Sequence, residues 1–369
     1  NDAPRTIVVG APRILLANQL SDEFMRIIPA TWTHVAPCHS GETHHFSTTK
    51  SHKLALFNDT ARAANESCII FTTYHSLRRV VDSGIEVDAI YFDEAHNGCT
   101  KHFFVSVAAM TDIATKKYFF TATPRISNKH DRGMNNRAIF GPILENVPAP
   151  ELIEGGHILP PTIVPFETDH TVDRKNPHMV HSNTVQDIID NLDETHAAKV
   201  LVAVPSSRIL GNILGHTDLI HELSERGYDV MHVTSKFGAY VNRTKVSREV
   251  FFNTLTEWGK EKGRKFVLFH YSILSEGINV PGLTHCILLR NLNVVEMAQT
   301  IGRVIRLDRD DAQRLQSGEL QPQQWAFYNK PTGFVTIPVH RNHGANIIKR
   351  LQRVTDEIFV KGVPATALV

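Results

Sequence analysis

The sequence contains no long hydrophobic run and only a few cysteines. No stretch of its 369 residues approaches the roughly 18 consecutive apolar residues that a membrane span needs. Its first residues lack the basic-then-apolar layout of a signal peptide. The four cysteines, Cys38, Cys68, Cys99 and Cys286, form no CxxC pair, which argues against a disulfide scaffold and a structural zinc site. These absences favour a cytoplasmic protein that binds no membrane.

Neither sign of charge is in excess, since 39 Lys+Arg face 38 Asp+Glu and give a net charge of +1. The sequence is 42% hydrophobic and 21% charged, which excludes disordered, collagen-like and coiled-coil classes. Near-neutrality leaves nucleic-acid binding open, because acidic surface elsewhere can balance a basic groove. The 21 histidines form no HExxH motif, and we interpret their number as compositional. The length predicts about two domains.

Short apolar runs alternate with amphipathic segments, which is typical of parallel sheets covered on both faces. The predicted strands are Thr6–Gly10, Cys68–Thr72, Ala89–Phe92, Tyr118–Thr121, Lys199–Pro205, Asp229–Val233, Lys265–His270 and His285–Leu289. The predicted helices include Ile14–Phe24, Thr217–Arg226, Lys245–Trp258 and a C-terminal docking helix, Ala345–Val360. The proline-rich residues 125–198 are interpreted as connections that include the linker between two domains.

An acidic cluster, Asp93-Glu94-Ala95-His96, directly follows the predicted strand Ala89–Phe92. Ligands of open α/β sheets bind at the carboxyl ends of the strands. Two adjacent carboxylates there can divide the work of nucleotide hydrolysis: one holds Mg²⁺ through water, and the other deprotonates the attacking water. Taken alone, such a pair is also common at the solvated start of a helix.

Two further segments carry groups that suit the same chemistry. Thr121-Ala122-Thr123-Pro124 ends the next predicted strand, and residues 299–306 read QTIGRVIR. The spacing of Arg303 and Arg306 predicts two arginines on one face of a helix. A guanidinium fits phosphate oxygens and stabilises charge during phosphoryl transfer, whereas a lone RxxR is usually a surface salt-bridging pair.

Together these segments resemble the motifs of superfamily 2 helicases and translocases, of the DEAH-type group that includes restriction-enzyme motor subunits. Seven segments occur in the order of motifs Ia to VI in that family. They are Ala11-Pro12-Arg13 with Gln19 (Ia), Phe71–Leu77 (Ib), Asp93–His96 (II), Thr121–Thr123 (III), Val204–Arg208 (IV), Leu274–Pro281 (V) and Gln299–Arg306 (VI).

The resemblance implies an α/β fold of two RecA-like parallel-sheet domains in tandem, with ATP between them and a short C-terminal extension. The first domain is expected over residues 1–165, N-terminally incomplete and including the linker. The second is expected over residues 166–310. Residues 311–369 form the extension, a candidate contact for a protein partner.

The resemblance also implies roles for individual residues. For ATP hydrolysis, these are Asp93 as the Mg²⁺ residue, Glu94 as the general base, His96 and Gln299 as nucleotide sensors, and Arg303 and Arg306 as arginine fingers. For coupling hydrolysis to movement, they are Thr121, Thr123 and Gly277. The residues in motifs that track a nucleic-acid backbone are Pro12, Arg13, Thr73, Ser206 and Ser275. For Thr73 and Ser206 taken singly, turn capping is the alternative.

One motif of the family is missing: no GxxxxGK[ST] phosphate-binding loop occurs in the sequence. The only Gly-Lys pair, Gly259-Lys260, precedes Glu261 and lies in the second half. Either the sequence is an N-terminally truncated piece of an ordinary motor, or the chain has lost ATP binding. The presence of Asp93, Glu94, Arg303 and Arg306 favours truncation. We therefore expect this chain alone to bind ATP weakly and hydrolyse it little.

The leading interpretation is an ATP-dependent nucleic-acid helicase or translocase with ATP and Mg²⁺ as cofactors. DNA is favoured over RNA by the likeness to restriction motors, and that preference is an analogy. The alternatives are a degenerate motor that serves as a nucleic-acid-binding module, and the motor part of a restriction-type endonuclease. An unrelated Rossmann-type enzyme is disfavoured because no GxGxxG turn is present.

Overall fold

A computed structural model describes residues 4–28, 33–40, 46–129, 131–173, 175–192, 197–234, 236–271, 280–290, 292–340 and 345–368. The chain divides into two compact units. The first contains the residues up to Glu145 together with the C-terminal residues from Ala365. The second contains most of the residues between Asn146 and Pro364. Both units are α/β, so the predicted fold class is confirmed.

The first unit is built on a five-stranded parallel sheet. Its strands are β1 (Thr6–Ala11), β2 (Thr33–Cys38), β3 (Ser67–Thr73), β4 (Val87–Phe92) and β5 (Ala114–Phe119). Its helices are α1 (Ile14–Ile27), α2 (Ser51–Ala63), α3 (Leu77–Val81), α4 (Lys101–Ile113) and α5 (Arg137–Phe140). The strands lie in the order β2-β3-β1-β4-β5, and two short strands, β6 (Arg125–Ile126) and β15 (Ala367–Leu368), pair separately.

Burial follows the position of each strand in this sheet. The central strands β1 and β3 are apolar and buried along most of their length, because helices cover both faces of a parallel sheet. At the edge, β5 exposes Lys116 and Lys117, and charged side chains on an edge strand oppose pairing with another chain. The central strands therefore bring their carboxyl ends to one edge of a rigid sheet.

The second unit is built on an eight-stranded sheet. Its strands are β7 (Pro161–Thr168), β8 (Lys199–Ala203), β9 (Asp229–Thr234), β10 (Gly238–Val241), β11 (Thr244–Val246), β12 (Phe266–His270), β13 (His285–Leu288) and β14 (Gly333–His340). Its helices are α6 (Ala149–Glu154), α7 (Pro177–Asp190), α8 (Ser207–His216), α9 (Leu219–Glu225), α10 (Arg248–Lys260), α11 (Val294–Val304), α12 (Arg309–Gln316) and α13 (Ala345–Thr355). The order is β11-β10-β9-β12-β8-β13-β14-β7, with only β10 and β11 antiparallel to their neighbours.

A tight hairpin explains why the helix expected from Lys245 begins only at Arg248. Val241 pairs with Thr244, and the two residues between them, Asn242 and Arg243, have φ values of 44° and 68°. Two left-handed residues make the type I′ turn that suits the twist of paired strands. Thr244–Val246 is thus the strand β11, and the Ser247 hydroxyl caps the helix by accepting from the N–H of Val250 (3.1 Å).

The proline-rich region contains more regular structure than expected, including β7 and α7. Pro161 and Pro165 are compatible with β7 because it is an edge strand, where a missing N–H need not break the sheet. The domain boundary expected after residue 165 would fall within β7. The expected C-terminal extension contains β14, which lies inside the second sheet and pairs with both β7 and β13.

Two findings bear on the environment of the chain. In the ranges that the structure describes, no helix is long and apolar enough to cross a membrane. All four cysteines are buried and free.

Candidate functional site

The ends of neighbouring strands in the first unit are joined just before the acidic cluster. The N–H of Asp93 donates to the carbonyl oxygen of Gly10 (2.8 Å), and the N–H of Phe120 donates to that of Phe92 (2.9 Å). On the other side of β1, the N–H of Tyr74 donates to the carbonyl oxygen of Ala11 (2.9 Å). Each bond extends the parallel ladder by one residue, so motifs Ia, Ib, II and III leave the sheet side by side.

The backbone turns sharply at Glu94, which has φ 46° and ψ 48°. This left-handed conformation is uncommon for a residue with a side chain and is typical of functional turns. It allows the next N–H, of Ala95, to donate to the carbonyl oxygen of Phe120 (2.8 Å), and a 3₁₀ turn over Ala95–Cys99 follows. The Tyr74 hydroxyl donates to the carbonyl oxygen of Asp93 (3.0 Å) and fixes the start of the turn.

His96 joins the acidic segment to the segment beyond β5. Its Nδ1 lies 3.0 Å from Oγ1 of Thr121, 3.3 Å from Oγ1 of Thr123 and 3.4 Å from Oε2 of Glu94. Its Nε2 lies 3.3 Å from the amide nitrogen of Asn97, which is a donor. His96 therefore accepts at Nε2 and carries its proton on Nδ1, facing the threonines and Glu94.

Burial sets the protonation of this group. It lowers the pKa of His96 to about 4, with a smaller contribution from the positive charge of Arg125, so the ring is neutral at pH 7. Burial raises the pKa of Asp93, and the N–H of Glu94, which donates to Oδ1 of Asp93 (2.9 Å), opposes that rise. The partly buried carboxylates of Asp93 and Glu94, next to the neutral His96, are suited to binding a cation or moving a proton.

The donor set of this site fits Mg²⁺ held mainly by water. Within the described ranges, no group of three or more His, Cys, Asp or Glu side chains could hold a metal. Mg²⁺ keeps several waters and is usually bound through one or two carboxylates together with substrate phosphates. Asp93, partly exposed at the end of β4, offers that single hard oxygen ligand.

The residues expected to contact nucleic acid in the first unit differ in exposure. Pro12 is buried and Arg13 is exposed, and both lie between β1 and α1. Thr73 is buried, and its hydroxyl accepts from the N–H of Ser76 (3.2 Å). The Thr73 side chain therefore caps a turn in this structure.

In the second unit, motif IV joins the end of β8 to the start of α8. The hydroxyl of Ser206 accepts from the N–H of Ile209 (3.1 Å), so it is the N-cap of α8. In motif V, Ser275 and Gly277 lie outside the described residues, as does most of the motif.

Motif VI lies on α11, which begins with a full capping box formed by Asn293 and Glu296. Gln299 and the buried Arg303 are four residues apart on one face of this helix. Arg303 lies close enough to His270 for its charge to affect that ring. The pKa of His270 is lowered to about 3, mainly by burial and to a smaller extent by the positive charges of Arg303 and Arg290.

The expectation that Arg306 shares a helix face with Arg303 is wrong, because α11 ends at Val304. The carbonyl oxygen of the C-cap residue Ile305 accepts from the N–H of Leu159 (2.7 Å), and Arg306 forms an antiparallel bridge with Ile158. The chain thus leaves the helix to pair with the segment before β7. The Arg306 side chain is exposed there.

A buried lysine that the sequence interpretation missed holds the same segment. Nζ of Lys330 donates to the carbonyl oxygen of Arg306 (2.7 Å). Burial lowers the pKa of Lys330 to about 7. The positive charge of Arg306 also lowers this pKa, whereas the negative charges of Asp308 and Asp311 raise it. Asp311, fully buried, accepts from the N–H groups of Asn329 and Lys330 (both 3.0 Å). The only sequence signal was a turn-like Asn329-Lys330-Pro331.

The structure therefore brings together the predicted site residues of each unit separately. In the first unit these are Asp93, Glu94, His96, Thr121 and Thr123. In the second, Gln299 and Arg303 lie on α11 and Arg306 follows it.

Two family models match the chain in the order that the motifs predict. Residues 1–126 match "Type III restriction enzyme, res subunit", and residues 182–308 match "Helicase conserved C-terminal domain". The two matches support a superfamily 2 helicase-like restriction motor domain. Comparison with curated proteins gave no match.

Solved structures share the fold of this helicase-like domain at low identity. The DNA-bound ATP-dependent Type ISP restriction-modification enzyme LlaBIII matches at 14% identity and a TM-score of 0.69, over 100% of this chain and 28% of that one. Mss116p bound to ssRNA and AMP-PNP matches at 12% and 0.56, over 100% and 64%. A putative HsdR subunit of a type I restriction enzyme from Vibrio vulnificus YJ016 matches at 14% and 0.56, over 99% and 57%. The chain thus spans less than two thirds of each matched chain.

Proposed function

We propose that this helicase-like domain is the motor of an ATP-dependent DNA translocase or helicase that acts in the cytoplasm. The observation that carries the proposal is the network around His96, which connects Glu94 of motif II to Thr121 and Thr123 of motif III. The same geometry lets a change at the carboxylates reach the segment beyond β5 through two hydrogen bonds. The DNA-bound state of the Type ISP enzyme supports DNA as the track.

Each residue has a definite task in this proposal. Asp93 would hold Mg²⁺, which would neutralise negative charge at the phosphates when bound. Glu94 accepts a proton from the attacking water, and the neutral Nδ1–H of His96 orients the Glu94 carboxylate. Gln299 contacts the nucleotide, and Arg303 and Arg306 stabilise negative charge on the transferring phosphoryl group.

The nucleic-acid contacts in the proposal come from segments that leave parallel strands. Arg13 pairs with phosphates, and the loops that the Thr73 and Ser206 hydroxyls cap present backbone N–H groups. Pro12 fixes the exit of the chain from β1. Ser275 belongs to this set, and Gly277 to the coupling residues, by their motif alone.

A second candidate is a nucleic-acid-binding module without ATP hydrolysis, which the loops capped by the Thr73 and Ser206 hydroxyls would serve equally well. A third, the motor part of a restriction-type endonuclease, rests on the likeness to restriction enzymes. It differs from the leading proposal only in the nuclease to which the motor is joined.

The ATPase test compares two glutamates of the first unit. If the reading frame upstream of Asn1 encodes GxxxxGK[ST], the protein that includes it is expected to hydrolyse ATP with stimulation by DNA. Glu94→Gln should lower that rate about 10²- to 10⁴-fold, because it removes the general base. Glu86→Gln is the matched control, since that side chain is 90% exposed. Rapid hydrolysis by the 369-residue chain itself, abolished by Glu94→Gln, would contradict the need for the loop.

The choice of track is tested on the chain as it stands. Fluorescence anisotropy with DNA and RNA oligonucleotides of equal length over a salt series should give salt-dependent binding that is tighter for DNA. Tighter binding to RNA would overturn the assignment of DNA, and no binding to either would overturn both leading candidates.

A further inference from the structure

A cavity of about 470 Å³ in the second unit is lined by one motif residue, Arg208 of motif IV, and otherwise by residues outside the motifs. One wall is the face of α8 that carries Arg208, Gly211 and Gly215, which share that face because they are three and four residues apart. The facing wall comes from β9 and β10 and from Lys236 and Phe237 between them. A volume of this size is typical of sites for small organic groups.

The facing wall is aromatic. His232 and Tyr240 are a cross-strand pair of β9 and β10, stacked with ring centroids 4.7 Å apart and planes 13° apart. Phe237, between the two strands, also lines the cavity and is 37% exposed. Planar rings at the wall of an open cavity favour a planar ligand that can stack.

The helical wall lacks side chains where it meets these rings. A Cβ at Gly211 would lie 3.1 Å from Cε2 of Phe237, so glycine lets that ring lie closer to α8 than a larger residue would. Among the residues that the structure describes, no atom lies within 4 Å of a Cβ placed at Gly215, so the space beside it is open to them. Glycine is unfavourable inside a helix, and two glycines in a ten-residue helix therefore indicate close approach of another group.

The charge of the cavity is positive. Arg208 and Lys236 are exposed at its wall, and Nζ of Lys236 lies 5.3 Å from the centroid of the Phe237 ring. No Asp or Glu occurs among the described residues that line it. An anionic ligand with a planar ring fits both the charge and the aromatic wall.

We infer that this cavity binds one unpaired base of a nucleic-acid strand, stacked on Phe237 and Tyr240, with the adjoining phosphates at Arg208 and Lys236. Aromatic platforms beside a cationic groove are the usual means of holding single strands. Ser206, which the proposed function places on the strand backbone, caps the same helix about 7.5 Å along its axis from Gly211. The inference rests on that proposed nucleic-acid function and adds a preference for single-stranded segments.

The test fills the cavity without touching its aromatic or charged groups. Gly215→Leu places a side chain in open space and replaces a helix glycine, so the fold should be retained and the cavity blocked. Gly263→Leu is the matched control, because a Cβ there also meets no atom within 4 Å and Gly263 does not line the cavity. Phe237→Ala removes one stacking platform and provides a second, independent variant. Circular dichroism and thermal melting check that each variant is folded.

Binding is measured by anisotropy with a labelled oligothymidylate and with an abasic strand of the same length. Gly215→Leu and Phe237→Ala should each weaken oligothymidylate binding about 5- to 100-fold, the range expected for one stacked base. Gly263→Leu should bind as the wild type does. The abasic strand should bind the wild type more weakly and should respond to neither cavity variant.

The outcomes separate this inference from the proposed function. If the wild type binds the oligonucleotide and both cavity variants bind it equally well, the cavity is not a base site and the proposed function stands. If the wild type binds no nucleic acid, the proposed function itself fails. If the cavity variants weaken binding of the abasic strand as much as they weaken binding of oligothymidylate, the cavity contacts only the phosphates. If free thymidine monophosphate binds the wild type but not Gly215→Leu, and the strand does not compete, the ligand is a free nucleotide.

Discussion

A neutral histidine joins the acidic turn of the first unit to the segment beyond β5, whereas a buried lysine holds the segment of Arg306 in the second. The acidic turn depends on His96, a neutral ring with short contacts to two threonines. The arginine segment depends on Lys330, which is buried and donates to the backbone of Arg306. Burying hydrogen-bonded neutral groups costs little free energy. A buried cation loses much of its hydration, and hydrogen bonds or opposite charges must compensate for that loss.

The comparison shows how differently two parts of one motor domain respond to pH. His96 is neutral, with its single ring proton on Nδ1, at any pH well above about 4. Lys330 changes its charge near pH 7, so the segment that carries Arg306 is sensitive to pH in the physiological range. Three measurements would break or sharpen this contrast.

The largest effect is expected from pH acting on Lys330. Its pKa is about 7 in the folded chain and about 10.4 in an unfolded one, so the unfolded state binds more protons between these values. The free energy of unfolding should therefore rise with pH from 7 to 10, by up to about 4 kcal/mol from this one group. Urea titrations at several pH values measure it, and the wild type minus Lys330→Met isolates the contribution. Equal pH dependence of the free energy of unfolding in both proteins would show that the pKa of Lys330 is not lowered in the folded chain.

The next effect concerns the acid beside that lysine. Asp311→Ala removes the acceptor of two backbone N–H groups and leaves Lys330 and Arg314 with less compensation. It should lower the free energy of unfolding by about 3 kcal/mol. Asp310→Ala, one residue earlier on α12, breaks only a surface pair with Lys262 and should cost under about 1 kcal/mol. Similar losses in the two variants would mean that burial of Asp311 is unimportant.

The smallest effect is expected in the neutral network of the first unit. Thr121→Val leaves the buried Nδ1 of His96 and the N–H of Thr123 each with one acceptor fewer, and should cost about 1 to 2 kcal/mol. Thr100→Val is the control, because the Thr100 hydroxyl is buried and has no hydrogen-bond partner in the described part of the chain. That substitution should be neutral or slightly stabilising in the same urea titrations. A loss at Thr100 as large as at Thr121 would remove the case for the His96 network.

The sequence predicted most of the strands because their apolar runs are continuous, and β1, β3, β4 and β8 all lie within two or three residues of the expected bounds. It also placed motifs II and III at the ends of successive predicted strands, Ala89–Phe92 and Tyr118–Thr121. These features depend on residues close together in the sequence or on strand order that the motif pattern already implies.

The features that the sequence could not supply depend on partners far along the chain. Arg306 lies outside α11 because residues 158 and 159 pair with the segment that follows the helix. Lys330 is buried because the chain comes back to the Arg306 segment at that residue. The strand character of β7 was hidden by its prolines, which only an edge position permits. A periodicity of apolar residues contains no information on any of these contacts.

The pairing of β7 with β14 has a consequence for how the protein is made. β7 is the first strand of the second unit, yet its neighbour in the sheet is the last, and the hydroxyls of Thr162 and Thr332 that meet beside them are 170 positions apart. At a synthesis rate of about 5–20 residues per second, β7 leaves the ribosome roughly 10 to 30 seconds before β14 exists. During that interval both edges of β7 are unpaired. The unpaired edges of β7 in the nascent chain need protection from pairing with other chains. A protein shortened near residue 308 would lack β14, so its β7 would need that protection permanently.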